Sequence, residues 1–185
     1  GTWSDNEDFS EWRGTFIFLE SNTGEVKITN SKFEKCHFMP LVVEGASSVT
    51  VDSCVFEKSV RDGCRLIHCS NVLVSNNSFK FINDDAIAVH SKSSLHSDIY
   101  MDNNAVITNN IITDSQGIAC QGLKKATIAN NVLTRCHSRG ILVGVGDTEG
   151  DNTLLGITIA NNTITDMFRP LTFGAGGGNC SYICV

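Results

Sequence analysis

Val72-Leu73-Val74-Ser75-Asn76-Asn77-Ser78-Phe79 returns as Ala126-Thr127-Ile128-Ala129-Asn130-Asn131-Val132-Leu133 and as Ile157-Thr158-Ile159-Ala160-Asn161-Asn162-Thr163-Ile164, with a looser copy at Val49-Thr50-Val51-Asp52-Ser53-Cys54-Val55-Phe56. Alternation of apolar and polar residues marks a strand with one buried face. The closing apolar residue of each copy is a landmark: Phe33, Phe56, Phe79, Ile112, Leu133 and Ile164 fall 23, 23, 33, 21 and 31 residues apart. A unit this short cannot bury its apolar face alone and does so by stacking on its neighbours. The period therefore predicts an all-β solenoid of about seven coils of 21–23 residues.

Alignment on the landmarks also aligns a second strand in each coil: Ile17-Phe18-Leu19, Leu41-Val42-Val43, Cys64-Arg65-Leu66, Ile87-Ala88-Val89, Ile118-Ala119-Cys120, Ile141-Leu142-Val143 and Leu171-Thr172-Phe173. The outer members of each triplet point inward, and the middle and flanking residues stand on an exposed parallel sheet. The Asn pairs are expected to stack as an amide ladder at an inside turn. On that reading the glycosylation acceptor patterns Asn76-Asn77-Ser78 and Asn161-Asn162-Thr163 are interior. The two long spacings hold insertions of about ten residues after the exposed strand, near 90–104 and 144–155, and loops there would wall a groove over the sheet. The expected domains are an N-terminal cap or linker over 1–13 and a solenoid over 14–185. Uncovered coil ends are an aggregation liability, so a homotrimer or the remainder of a longer chain is expected to cover them.

With 14 basic and 20 acidic residues the net charge is −6, which argues against a nucleic-acid partner, since phosphate neutralisation needs a basic surface. No apolar run is long enough to cross a bilayer as a helix, and membrane insertion is not expected. Of eight cysteines, Cys36, Cys64, Cys120 and Cys136 fall where a coil wants a small apolar filler and are read as buried thiols. Cys180 and Cys184 alone invite a local pair or a metal.

The residues just before the exposed strands form a column: Met39, Asp62, Asp85, Gln116, Arg139 and Arg169. Asp62 and Asp85 are 23 residues apart, one coil in register, and Asp84 adjoins them. Three such carboxylates raise at least one pKa and hold a mixture of protonated and ionised forms. Glycoside hydrolysis uses such a mixture: one carboxylic acid protonates the leaving oxygen while another carboxylate activates water, an arrangement that inverts the anomer when about 6.5–9.5 Å separates them. His90, Arg65, Gln116, Arg139 and Arg169 are the candidate substrate-binding residues. The bland alternative makes Asp62-Gly63 and Asn83-Asp84-Asp85 simple turn formers.

With these residues in view, the chain resembles the pectin-lyase-like right-handed parallel β-helix superfamily over nearly its whole length from about Gly14. Arg61-Asp62-Gly63 followed one coil later by Asn83-Asp84-Asp85 is similar to the Asn-Thr-Asp-Gly and Asp-Asp motifs of polygalacturonase-type glycosidases. Asp84-Asp85-Ala-Ile-Ala-Val-His90 also resembles β-helical α-galactosidases, and phage tailspike depolymerases share the fold. The resemblance implies that Asp84 or Asp85 is the general acid, with Asp62 and the remaining aspartate activating water. The chain departs from polygalacturonases at Gln116-Gly117, where they carry His-Gly, and has no Arg-Ile-Lys triplet for a galacturonate carboxylate.

The expected function is thus an inverting glycoside hydrolase acting on a polysaccharide or glycan with Asp62, Asp84 and Asp85, without cofactor or metal, in an extracellular, periplasmic, virion or cell-surface setting. A non-catalytic glycan-binding spike or adhesin segment is the second reading. A Ca²⁺-dependent lyase or epimerase built on the same carboxylates is the third.

Overall fold

The computed structural model describes residues 14–20, 24–91, 104–144, 154–174 and 180–184. The expected cap over 1–13 and most of both insertions, 92–103 and 145–153, lie outside the described residues. The strands make three parallel sheets. The first holds Ile17–Leu19, Leu41–Glu44, Cys64–Ile67, Asp85–His90, Gln116–Gln121, Ile141–Gly144 and Leu171–Gly174. The second holds Glu25–Thr29, Ser48–Asp52, Val72–Ser75, Ala105–Thr108, Lys124–Ala129, Leu154–Ala160 and Cys180–Cys184. The third holds Lys32–Cys36, Val55–Ser59, Ser78–Ile82, Ile111–Thr113, Val132–Thr134 and Thr163–Thr165. The chain visits the sheets in turn, so each coil contributes one strand to each and pairs only with the coils above and below. No helix among the described residues is long and apolar enough to cross a membrane.

Register follows the repeat. Phe33, Phe56, Phe79, Ile112, Leu133 and Ile164 are Cα partners along the third sheet. Phe33, Phe56 and Phe79 stack with centroids 4.8 and 4.7 Å apart, a continuous aromatic column down the interior. The inward members of the triplets complete the core: Leu41, Leu66, Ile87, Val89, Ile118 and Ile141 are fully buried.

The Asn pair divides its labour between two adjacent positions. The first residue, at 30, 53, 76, 109, 130 and 161, takes φ between 50 and 57°, the left-handed conformation that Asn tolerates best among residues with a Cβ. The second builds the ladder. The side-chain amide of Asn77 donates to Asn110 Oδ1 at 3.0 Å, Asn110 to Asn131 at 3.0 Å and Asn131 to Asn162 at 2.9 Å. Each acceptor also takes the backbone N–H of the coil before it, and Cys54 N–H closes the series on Asn77 Oδ1 at 2.8 Å. The glycosylation reading needs correction here, because the acceptor asparagines of the two patterns are Asn76 and Asn161, the turn residues, and both are exposed. Alternation puts the second Asn inside and therefore the first one out.

Cys36, Cys54, Cys64, Cys69, Cys120 and Cys136 are free and buried. Burial raises the thiol pKa of Cys64 and pushes those of Cys120 and Cys136 up to about 12, so they fill space and do not react. Cys180 and Cys184 close the ends of a strand whose side chains lie outside the described residues.

The outward face of the first sheet is less open than its alternation implies. Val42, Ile67, Ala88 and Ala119 are buried although they stand outside the central core. The two fully buried alanines are adjacent in a column flanked by the longer Arg65 and Leu142.

Candidate functional site

The corner before the first sheet is set by close packing of successive coils. Gly63 donates its N–H to the Asp85 carbonyl at 2.9 Å, and a Cβ at Gly63 would come within 2.7 Å of the Ala86 carbonyl oxygen. Gly117 is tighter, with the Gly140 carbonyl oxygen 1.7 Å from where its Cβ would stand. Glycine after Asp62 and Gln116 is therefore demanded by backbone approach, and it fixes the preceding side chain relative to the next coil.

Asp62, Asp84 and Asp85 come together here, with one oxygen of each lying within 4.8 Å of the others. Strand pairing of adjacent coils brings Asp62 beside Asp85, and Asp84 adjoins Asp85 in the chain. The 4.8 Å spread is shorter than the separation of about 6.5–9.5 Å expected for a pair that holds water between its members. The first half of the column is also not exposed: Met39 is buried, and Asp62 and Asp85 are only 3% and 5% exposed, while Gln116 and Arg139 are partly exposed and Arg169 is exposed. Asp84 is the outermost carboxylate, with 33% of its side chain exposed, and it accepts the Asp85 N–H at 3.1 Å.

Each carboxylate meets its own guanidinium. Arg65 Nη1 donates to Asp62 at 3.1 Å, Arg61 Nη1 lies 3.6 Å from Asp84, and Arg139 Nη2 reaches Asp85 at 3.1 and 3.3 Å. Arg139 belongs two coils beyond Asp85 and spans the coil of Gln116 to make this contact. Burial is the first cause of the pKa shifts and exceeds the repulsion among carboxylates on which the sequence argument rested. It lifts Asp62 to about 6, helped by the charge of Asp84 and opposed by Arg65. It lifts Asp85 to about 7 against the pull of Arg139. A site near neutral pH thus holds protonated and ionised carboxyls together, which acid–base chemistry needs.

Asn83, Gln116 and Arg139 contribute a second feature. Asn83 Oδ1, Gln116 Oε1 and Arg139 Nε are buried and have no hydrogen-bond partner among the described residues. The Gln116 amide nitrogen makes a long 3.5 Å bond to the Asn83 carbonyl, and Gln116 is the strand partner of Asp85. Orphaned buried polar atoms are rare in folded proteins, and a functional role is one of the few reasons for them.

The family description "Right handed beta helix region" matches residues 3–104 and 42–182. The chain belongs to the right-handed β-helix family. No curated protein and no solved structure matches it significantly.

The β-helix brings Asp62, Asp84, Asp85, Arg65, Gln116 and Arg139 to one corner but not His90 or Arg169. His90 closes the strand that Asp85 opens, five residues and roughly 16 Å along it, between Ile67 and Gln121 of neighbouring coils. Arg169 stands a coil beyond Arg139, with its guanidinium 5.7 Å from the Phe168 ring centre. Two further residues join this corner that were not among the expected site residues, Arg61 and Asn83. Both directly precede the acidic residues in the repeat, and their charge and amide were the available signal. The carboxylate oxygens are hard donors suited to Ca²⁺, but a cation would have to displace three guanidiniums to reach them.

Proposed function

We propose that this β-helix is a glycoside hydrolase acting on a polysaccharide or glycan, with Asp62, Asp84 and Asp85 as its catalytic carboxylates. The observation that carries the reading is the pair of buried aspartates, at about 6 and about 7, beside a more exposed third within 4.8 Å. At neutral pH Asp85 is the better proton donor and Asp62 the better base, because Asp85 has the higher pKa. In this scheme Asp85 protonates the glycosidic oxygen as the bond to the anomeric carbon breaks. Asp62 and Asp84 draw a proton from the water that attacks that carbon. Inversion requires the water to sit beside the close carboxylates, since the gap between them is too short to hold it in line.

The test is incubation of the protein with a glycan panel, scored for new reducing ends, with the anomer of the fresh product read by NMR. Release from at least one glycan, lost in Asp84→Asn and Asp85→Asn, supports the reading. Failure of every glycan to yield reducing ends refutes it. The three Asp–Arg pairs favour one alternative, a non-catalytic glycan-binding segment in which the ion pairs only pin the corner; such a protein would bind glycan and release nothing.

A further inference from the structure

Resting on that glycan reading, we propose that the corner selects a neutral sugar and that the side-chain carbonyl oxygens of Asn83 and Gln116 receive hydroxyl protons from it. Three guanidiniums face three carboxylates, and every one of these arginines has an aspartate partner: Arg61 with Asp84, Arg65 with Asp62, Arg139 with Asp85. A substrate carboxylate or sulfate would have to compete with Asp84 for Arg61 and with Asp62 for Arg65, and Arg139 is without an opposing charge only in molecules with Asp85 protonated. The unfilled positions are of another kind. Two are acceptors, Asn83 Oδ1 and Gln116 Oε1, and one is a donor, Arg139 Nε. They come from three successive coils, beginning with that of Asp85 and centred on that of Gln116, which pairs with Asp85, bonds the Asn83 carbonyl and is followed by Gly117, whose N–H donates to the Arg139 carbonyl.

Hydroxyl groups match this set because each donates one proton and still accepts. Two sugar hydroxyls satisfy the amide oxygens, and the oxygen of one of them, or of a third, takes the Arg139 N–H. A uronate keeps its ring hydroxyls but has an acceptor-only carboxylate where a neutral hexose has a hydroxymethyl donor, so it has one proton fewer to offer the two amide oxygens. A site built from hydrogen-bonding groups discriminates strongly, since the wrong ligand leaves its buried polar atoms unpaired. The two amides are therefore specificity-determining residues, and their unpaired state in the free protein is the cost of that selectivity.

The experiment is calorimetric titration of the whole chain with neutral tetrasaccharides of glucose, galactose, xylose and arabinose, and with tetragalacturonate and a sulfated tetrasaccharide. A neutral member is expected to bind at least roughly tenfold more tightly than either anionic one. Gln116→Met keeps the length and removes the orphaned acceptor, so it is expected to weaken that neutral ligand roughly tenfold while the melting temperature holds or rises. Asn83→Ala is read in the same way. Tighter binding of the anionic ligands, no binding by any neutral one, undiminished binding by both variants, or a fall in melting temperature in both would overturn the proposal. Neutral binding without reducing ends would sink the hydrolase reading and leave this inference standing. Cleavage confined to anionic glycans would do the reverse.

Discussion

Asp85→Asn is expected to stabilise the protein at pH 8 and to leave it nearly unchanged at pH 5. In the fold the Asp85 carboxyl titrates at about 7, whereas an unfolded chain releases that proton near 3.8. Between those values the folded state holds a proton that the unfolded state has lost, so this group's stabilisation is complete below about pH 4 and disappears as pH rises through 7. At pH 5 about one folded molecule in a hundred has ionised Asp85, and at pH 8 about nine in ten have. Two units of lost proton affinity at about 1.4 kcal/mol each make the wild-type protein about 3 kcal/mol less stable at pH 8 than at pH 5 through this residue. Asparagine is neutral throughout, and its oxygen can accept from Arg139 as the protonated acid does. Urea unfolding at both pH values gives the comparison. Asp62 adds a smaller slope of the same sign, and the exposed His137, whose pKa is lowered by partial desolvation of its ring, adds one of opposite sign; the His137 slope cancels when variant and wild type are subtracted at each pH, whereas Asp62, whose charge acts on Asp85, adds to the difference. A variant equally displaced at both pH values, or less stable at pH 8, would refute the assignment of a burial-raised carboxyl. Exposed aspartates would have tolerated this substitution silently, and it is their burial that makes stability respond.

If Asp62 serves as base and Asp85 as acid, hydrolysis should follow a bell-shaped pH profile with limbs near 6 and 7, the apparent values of the pair. A maximum above pH 8 would reject those roles. Asn110→Ala should cost about 3 kcal/mol in urea unfolding, because it strands the Asn77 backbone N–H and one N–H of its side-chain amide in the interior and takes a donor from Asn131 Oδ1 and from the Val74 carbonyl. A loss below about 1 kcal/mol would show that the ladder contributes little.

The repeat made the architecture readable because a solenoid interacts only with its nearest neighbours. Once the period was counted, Phe56 had to lie beside Phe33 and Phe79, and Asp62 beside Asp85. The site was legible to the same depth. Residues one coil apart were placed correctly, while Arg139, which bridges two coils, was seen as a column member and not as the partner of Asp85. His90 failed for the opposite reason: closeness in sequence to Asp85 becomes distance along an extended strand.

The sequence by itself determined the coil period, the inward residues, the double-Asn turn and the register that makes Asp62 and Asp85 neighbours, since all of these follow from alternation and spacing. Only the tertiary structure decided that the aspartates are buried, that burial more than mutual repulsion raises their pKa, and which arginine each one meets. Those properties depend on what packs over a side chain from coils dozens of residues away, and no local pattern encodes that.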